Sequence, residues 1–176
     1  MTNTPIDPGV RIGHVHLKVA DLERALKFYC GVLGFELMQT RQGAAFISAG
    51  GYHHHIGLNT WESHGGSPPP LSTTGLYHIA ILYPTRAKLA DAFRRLIEVN
   101  IPLEGASDHG VSEALYLRDP DDNGVELYWD RPKQEWPRAA DGRIEMYTHR
   151  LDLTALLKEV EAPQFAGADA KPARDT

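Results

Sequence analysis

Cysteine is nearly missing from this sequence: Cys30 is the only one among 176 residues. A single cysteine excludes an internal disulfide framework and a thiolate zinc cluster, and it suits a reducing cytoplasm. Long apolar runs are missing too, since no stretch approaches the roughly 20 residues that a membrane-spanning helix needs. The opening MTNTPIDPGV has neither the basic nor the apolar region of a signal peptide. These absences predict a cytoplasmic protein that does not enter a membrane.

Net positive charge is also lacking. The chain has 18 Lys and Arg against 23 Asp and Glu, a formal net charge of −5. Since no basic stripe is visible either, nucleic acid is not an expected partner. The hydrophobic content of 42% and the length suit one soluble domain with a tail.

The hydrophobic pattern repeats once along the chain. Residues 11–60 predict a strand, a helix and three more strands, and residues 75–131 predict the same order again. Asp21 and Thr85 stand where the two helices would need their N-caps. A repeated unit of this length indicates two modules packed as one domain, so we predict an α+β domain over residues 11–131.

The composition changes after residue 131. Residues 132–176 predict a C-terminal extension with a short strand and a short helix, for which Asp152 is a possible cap. The last stretch, APQFAGADAKPARDT, is expected to be disordered.

Three potential metal ligands fall on equivalent faces of the predicted strands. Strand alternation directs His14, His78 and Glu126 away from the helices. Two histidines and one carboxylate with open coordination positions are typical of non-haem Fe(II) oxygenases, and Mn(II) would also fit. Each residue alone is more simply explained as a packed or solvated side chain, so the prediction depends on all three together.

Two stretches carry a resemblance to a known family. HVHLKVADLERALKFYCGVLGFE and LRDPDDNGVELYW resemble the vicinal oxygen chelate superfamily, which includes glyoxalase I, fosfomycin-resistance proteins and extradiol dioxygenases. The resemblance covers roughly residues 11–131. It implies tandem βαβββ modules (about 11–60 and 75–131) that form an open, incomplete β-barrel around a metal site. It also implies that His14, His78 and Glu126 are the metal ligands.

A run of three histidines carries a resemblance to one group within this superfamily. Residues 51–61, GYHHHIGLNTW, resemble the fourth strand of members similar to catechol 2,3-dioxygenase. This implies an Fe(II) extradiol dioxygenase that inserts O2 into a catechol-type diol. It also implies that His54 is a catalytic base beside the substrate, and that His109 and Tyr116 bind the substrate and stabilise charge.

Other interpretations stay open at this point. The histidine run could be a solvated strand end, and Tyr116 could be a packed aromatic residue. The protein could instead be a metal-dependent lyase or thiol transferase of the same superfamily, although its glyoxalase I-type members usually carry a Glu on the fourth strand, which is absent here. It could also be a non-catalytic protein that binds a small molecule. Short members of the superfamily are often dimers, so a homodimer is expected.

Overall fold

The computed structural model describes residues 4–161. The prediction of disorder for residues 162–176 therefore lies outside the described residues. The first module contains β1 (Val15–Lys18), α1 (Leu22–Leu26), which continues into a π-helical turn (Lys27–Val32), β2 (Glu36–Arg41), β3 (Ala44–Ser48) and β4 (Ile56–Asn59). Asp21 caps α1 by accepting a hydrogen bond from the Arg24 amide. The helical segment ends before Gly34, whose φ of 86° favours glycine.

The second module repeats this order. It contains β5 (Ile79–Leu82), α2 (Arg86–Glu98), β6 (Gly105–Asp108), β7 (Ser112–Arg118) and β8 (Gly124–Asp130). Thr85 caps α2, as predicted, because its hydroxyl accepts from the Lys88 amide. The predicted βαβββ repeat is thus confirmed in both halves.

Each module forms its own mixed sheet. The first has the strand order β1-β4-β3-β2, and the second has the order β5-β8-β7-β6-β9, where β9 is His149–Arg150. The first strand of each module pairs in parallel with the last, and the other pairs are antiparallel. The sheets do not close into a barrel. β1 and β5 are therefore edge strands in the part of the chain that is described.

The two modules share one hydrophobic core. Leu17 of β1 and Val19, which follows this strand, are buried in the same cluster as Val125 and Leu127 of β8. Alternation along the strands therefore follows the predicted parity, since the side chains at the next positions face the other side. The core joins the modules, and the boundary at residue 131 stays a prediction.

Polar contacts also join the modules. The Tyr29 hydroxyl donates to Asp119 Oδ2 at 3.0 Å, and Asp121 Oδ1 accepts from the Ala20 amide at 2.9 Å and from Arg24. Asp119 and Asp121 lie in the turn between β7 and β8, within the DPDDNG sequence. This turn therefore fixes the second module against the helix of the first.

The C-terminal extension packs on the second module. β9 pairs with β6, and α3 (Leu153–Glu161) packs against α2. Asp152 accepts a hydrogen bond from the Ala155 amide, which confirms the predicted cap. Leu151 and Leu156 are buried in the shared core. Within residues 4–161, no helix is both long and apolar enough to cross a membrane.

Candidate active site

Two of the three predicted metal ligands meet in the second module. His78 directly precedes β5, and Glu126 lies in β8, which runs parallel to β5. His78 Nε2 is 2.9 Å from Glu126 Oε2. The other ring nitrogen of His78 is buried without a hydrogen-bond partner among the described residues. An imidazole and a carboxylate that converge in this way are a donor pair suited to a divalent transition metal.

Tyr116 and His109 extend this pair into a chain of hydrogen bonds. Tyr116 lies opposite Glu126 in the β7–β8 register, and its hydroxyl donates to Glu126 Oε1 at 3.0 Å. His109 Nε2 is 2.8 Å from the same hydroxyl oxygen. Burial and the neighbouring Glu126 carboxylate raise the pKa of Tyr116 well above its ordinary value. Tyr116 therefore keeps its proton at neutral pH and has two polar neighbours, and its role in catalysis stays a prediction.

His14 contacts the histidine run rather than this chain. It directly precedes β1, and its ring centroid is 4.4 Å from that of His54. His54 Nδ1 is 2.7 Å from His53 Nδ1, so one nitrogen donates and the other accepts. Burial and then the charge of His14 lower the pKa of His54 below the ordinary histidine value. A lowered pKa favours the neutral imidazole, which is the form that accepts a proton.

The other residues near the histidine run have structural contacts. His55 Nδ1 lies 3.0 Å from Ser48 Oγ and accepts from the Ala49 amide at 3.3 Å. The ring of His16 packs against Gly57, where an added Cβ would come within 2.9 Å of it. Of the three consecutive histidines, His54 is therefore the one that contacts a predicted metal ligand.

One cavity is lined by a histidine from each half of the site, although His54, His109, Tyr116 and Glu126 are not among its lining residues. Its volume is about 810 Å³, and both His14 and His78 line it. The walls are mostly apolar, with Phe35, Ile56 and Ile79 among the lining side chains. A smaller cavity of about 190 Å³ lies beside His78 and Tyr116. The larger cavity exceeds the volume of a single aromatic ring and offers it apolar contacts.

The donor types fit a metal, but the three predicted ligands do not form one group here. Over residues 4–161, no three His, Cys, Asp or Glu side chains are arranged to hold an ion. His78 and Glu126 supply two converging donors, and His14 faces the cavity that His78 also lines. The complete triad stays a prediction.

Sequence reasoning missed two residues of this site. The main-chain carbonyl of Tyr147 is 2.9 Å from His109 Nδ1, and the Thr148 hydroxyl oxygen is 3.2 Å from the same nitrogen. Both residues belong to the C-terminal extension. Because a carbonyl is present at every position of a chain, the sequence contains no signal that could have identified this contact.

The fold and the site define a class of protein. The family described as the Glyoxalase/Bleomycin resistance protein/Dioxygenase superfamily matches residues 11–127. The chain belongs to this superfamily.

The chain is also similar to individual proteins that are named as dioxygenases. The chain is 44% identical over 156 residues to a protein of Bacillus subtilis named catechol-2,3-dioxygenase, which covers 89% of this chain and 54% of the relative. It is 33% identical over 132 residues to biphenyl-2,3-diol 1,2-dioxygenase 3 of Rhodococcus globerulus. This match covers 74% of this chain and 66% of the relative. The chain thus spans about half to two thirds of the length of these relatives.

Solved structures support the fold. A glyoxalase/dioxygenase from Nostoc punctiforme aligns with a TM-score of 0.59 at 20% identity, covering 75% of this chain and all (100%) of that one. A lactoylglutathione lyase from Agrobacterium tumefaciens aligns with a TM-score of 0.55 at 23% identity, covering 70% and 96%. At these identities the likeness concerns the fold alone.

Proposed function

We propose that this protein is an extradiol ring-cleaving dioxygenase that inserts O2 into a catechol-type aromatic diol. The observation that carries the proposal is the hydrogen-bonded chain His109–Tyr116–Glu126–His78. The names of two relatives, a catechol and a biphenyl-diol dioxygenase, support it. The cytoplasm is the compartment proposed for this activity.

The proposed metal is Fe(II), with Mn(II) as the substitute, held by His14, His78 and Glu126. The bound ion would acidify a coordinated diol hydroxyl and would leave positions for both diol oxygens and for O2. Two of these side chains belong to the second module, and their donor atoms, His78 Nε2 and Glu126 Oε2, already lie 2.9 Å apart.

The side chains around the metal have separate roles in this proposal. His54 accepts the proton of the second diol hydroxyl at a ring nitrogen, because burial favours its neutral form. Tyr116 stays protonated, so its hydroxyl, which donates to Glu126 here, can instead donate to a negatively charged oxygen of the substrate. His109 Nε2 lies 2.8 Å from the Tyr116 hydroxyl oxygen and holds this side chain in place. The apolar walls of the cavity orient the aromatic ring and exclude water.

Reconstitution with Fe(II) tests the proposal. Protein purified without an affinity tag is loaded anaerobically, and then catechol, 3-methylcatechol or 2,3-dihydroxybiphenyl is added with air. We expect a yellow ring-cleavage product and about one iron per chain. Glu126→Ala should lose both iron and product. His54→Ala should keep iron and lose product by a factor of roughly 10²–10⁴, the usual contribution of a positioned acid or base.

His64→Ala is the matched control, because His64 is an exposed histidine outside the site. It should keep the activity of the unaltered protein. Iron-loaded protein that yields no product from any of the three diols would count against the proposal. Equal losses in His64→Ala and His54→Ala would remove the role assigned to His54.

A lyase is the second candidate, because the chain matches almost the full length of such a relative. It is 25% identical over 132 residues to a probable lactoylglutathione lyase of Synechocystis, covering 97% of that protein. However, β4 has the sequence IGLN and offers no carboxylate as a fourth ligand. Zinc or nickel in the purified protein, with thiol-dependent lyase activity, would favour this candidate over the dioxygenase.

We also propose that the protein is a homodimer. The support is the resemblance to short superfamily members, together with large apolar side chains that are exposed near the edge strands, such as Ile12, Leu76 and Leu82. Light scattering at working concentration should give the mass of two chains, 19.5 kDa each. The mass of a single chain would contradict it.

A further inference from the structure

The C-terminal extension reaches His109. β9 pairs with β6 so that His149 lies opposite Asp108, and this register places Tyr147 and Thr148 beside His109. The Tyr147 amide donates to the His109 carbonyl at 3.3 Å, and the Tyr147 carbonyl lies 2.9 Å from His109 Nδ1. The Thr148 hydroxyl is 3.2 Å from the same nitrogen. Three contacts therefore fix the histidine from the side opposite Tyr116.

The chemistry of the carbonyl decides which ring nitrogen carries the hydrogen. A main-chain carbonyl can only accept, so His109 Nδ1 has to donate in this contact. We propose that Tyr147 and Thr148 are positioning residues that hold His109 in the Nδ1–H tautomer and direct the other nitrogen, Nε2, at Tyr116. The importance of this tautomer for catalysis rests on the proposed function. The tautomer itself can be measured whether or not that function is correct.

Packing holds the Tyr147 carbonyl in place. The Tyr147 ring lies so close to Gly110 that an added Cβ would come within 2.6 Å of it, and Pro137 is 2.9 Å from the same point. Gly110 also has a φ of 76°, which side chains other than glycine rarely adopt. The extension is therefore fitted against the residue that follows His109, and the carbonyl cannot easily turn away.

The tautomer determines what His109 can do for Tyr116. In a neutral ring with hydrogen on Nδ1, Nε2 is an acceptor. Nε2 lies 2.8 Å from the Tyr116 hydroxyl oxygen, and Glu126 Oε1 lies 3.0 Å from the same oxygen. Both atoms can accept a hydrogen bond, but the hydroxyl carries a single hydrogen. The Tyr116 hydrogen can thus be donated to Glu126, as it is here, or to His109, one acceptor at a time. In the opposite tautomer, Nε2–H would donate to the Tyr116 oxygen while Tyr116 donates to Glu126, and the Tyr147 carbonyl would receive no hydrogen from His109.

Nitrogen NMR of the histidine rings measures the tautomer directly. The metal-free protein is labelled with ¹⁵N in its histidine rings and recorded at about pH 8, above the ordinary histidine pKa of about 6.5. His109→Asn assigns the His109 signals by their disappearance. We expect a hydrogen on Nδ1 of His109. A His109 ring without hydrogen on Nδ1 would overturn the proposal.

Two glycine variants test the role of the extension. Tyr147→Gly removes the ring that packs on Gly110, and Met146→Gly is the matched control, because Met146 is 66% exposed and adjacent in sequence. The share of the Nε2–H tautomer should rise in Tyr147→Gly and stay unchanged in Met146→Gly. Equal spectra for both variants would refute the positioning role. If Tyr147→Gly does not fold, Thr148→Ala takes its place, because it removes the hydroxyl that lies 3.2 Å from His109 Nδ1, and an unchanged share of the Nε2–H tautomer would then refute the positioning role.

Kinetics separate this inference from the proposed function. If the enzyme is active, Tyr147→Gly should lower kcat about ten- to a hundredfold and change KM little. This loss is a part of the rate enhancement that a positioned acid–base group contributes. An unaltered protein without dioxygenase activity would overturn the proposed function, while the NMR result would still stand. An active enzyme with His109 in the Nε2–H form would overturn this inference only.

Discussion

The substitution Tyr29→Phe isolates one buried hydrogen bond between the modules. Tyr29 has no exposed surface (0%), and its hydroxyl donates to Asp119 Oδ2 at 3.0 Å. Phe keeps the ring and its packing, so the change removes little more than this bond. A hydrogen bond to a charged group contributes about 1.5–3 kcal/mol. Since Asn123 Nδ2 still donates to the same oxygen at 2.9 Å, we expect a loss near 1.5 kcal/mol.

Urea denaturation of the metal-free protein measures this loss. The midpoint should fall with an unchanged slope, because the folded and unfolded surfaces stay the same. Tyr52→Phe is the matched control, since Tyr52 is 42% exposed, and surface changes usually stay within about 0.5 kcal/mol. If the two variants have the same stability, Tyr29 does not contribute to the junction between the modules through its hydroxyl. A changed slope would show instead that the modules no longer unfold together.

Three further predictions concern stability and reactivity. Glu113→Gln should cost roughly 3 kcal/mol by urea denaturation, because the carboxylate is buried and bridges Arg86 at 2.7 Å and Arg131 at 2.9 Å. Thr85→Ala should cost about 1 kcal/mol in the same assay, because α2 loses its N-cap. Burial raises the pKa of the Cys30 thiol, so iodoacetamide near pH 8 should alkylate it more slowly than free cysteine.

Controls for these predictions are available in the same chain. Glu145→Gln and Thr74→Ala change exposed residues of the same types and should leave the urea midpoint nearly unchanged. A midpoint for Glu113→Gln or Thr85→Ala that matches its control would contradict the corresponding contact. Urea-unfolded protein is the reference for Cys30, because the difference from free cysteine should disappear once burial is lost. Equal alkylation rates before and after unfolding would contradict the shift.

The repeat of the fold could be predicted because its signals are local. Alternation of apolar side chains identifies strands, helical spacing identifies helices, and Asp21, Thr85 and Asp152 stand at the predicted caps. The junction between the modules has no local signal. Tyr29 and Asp119 are 90 residues apart, and neither sequence position indicates the other.

The direction of a side chain in the candidate site could be predicted where strand alternation alone determines it. The parity of β8 directs Glu126 away from the helices, and the observed β7–β8 register places Tyr116 opposite it. A slip of one residue would have turned Tyr116 to the other face, and the sequence left that register open. His14 and His78 lie one residue before their strands rather than within them. The extension residues that contact His109 could not be predicted, because Tyr147 makes its contact through the main-chain carbonyl and Thr148 is 39 residues away from His109 in sequence.

Parity also explains why the sequence cannot decide whether His14 joins His78 and Glu126. Alternation sets the direction of a side chain, but the separation between β1 and β5 depends on how two sheets pack, and no described hydrogen bond pairs these strands. An ion held by all three ligands would connect the modules and stabilise the folded state, by about 2.7 kcal/mol at a free concentration of 100 times its Kd. Thermal unfolding with Mn(II) should show this gain for the unaltered protein. His14→Ala should lose it if the triad is complete, and should retain most of it if His78 and Glu126 bind the ion by themselves.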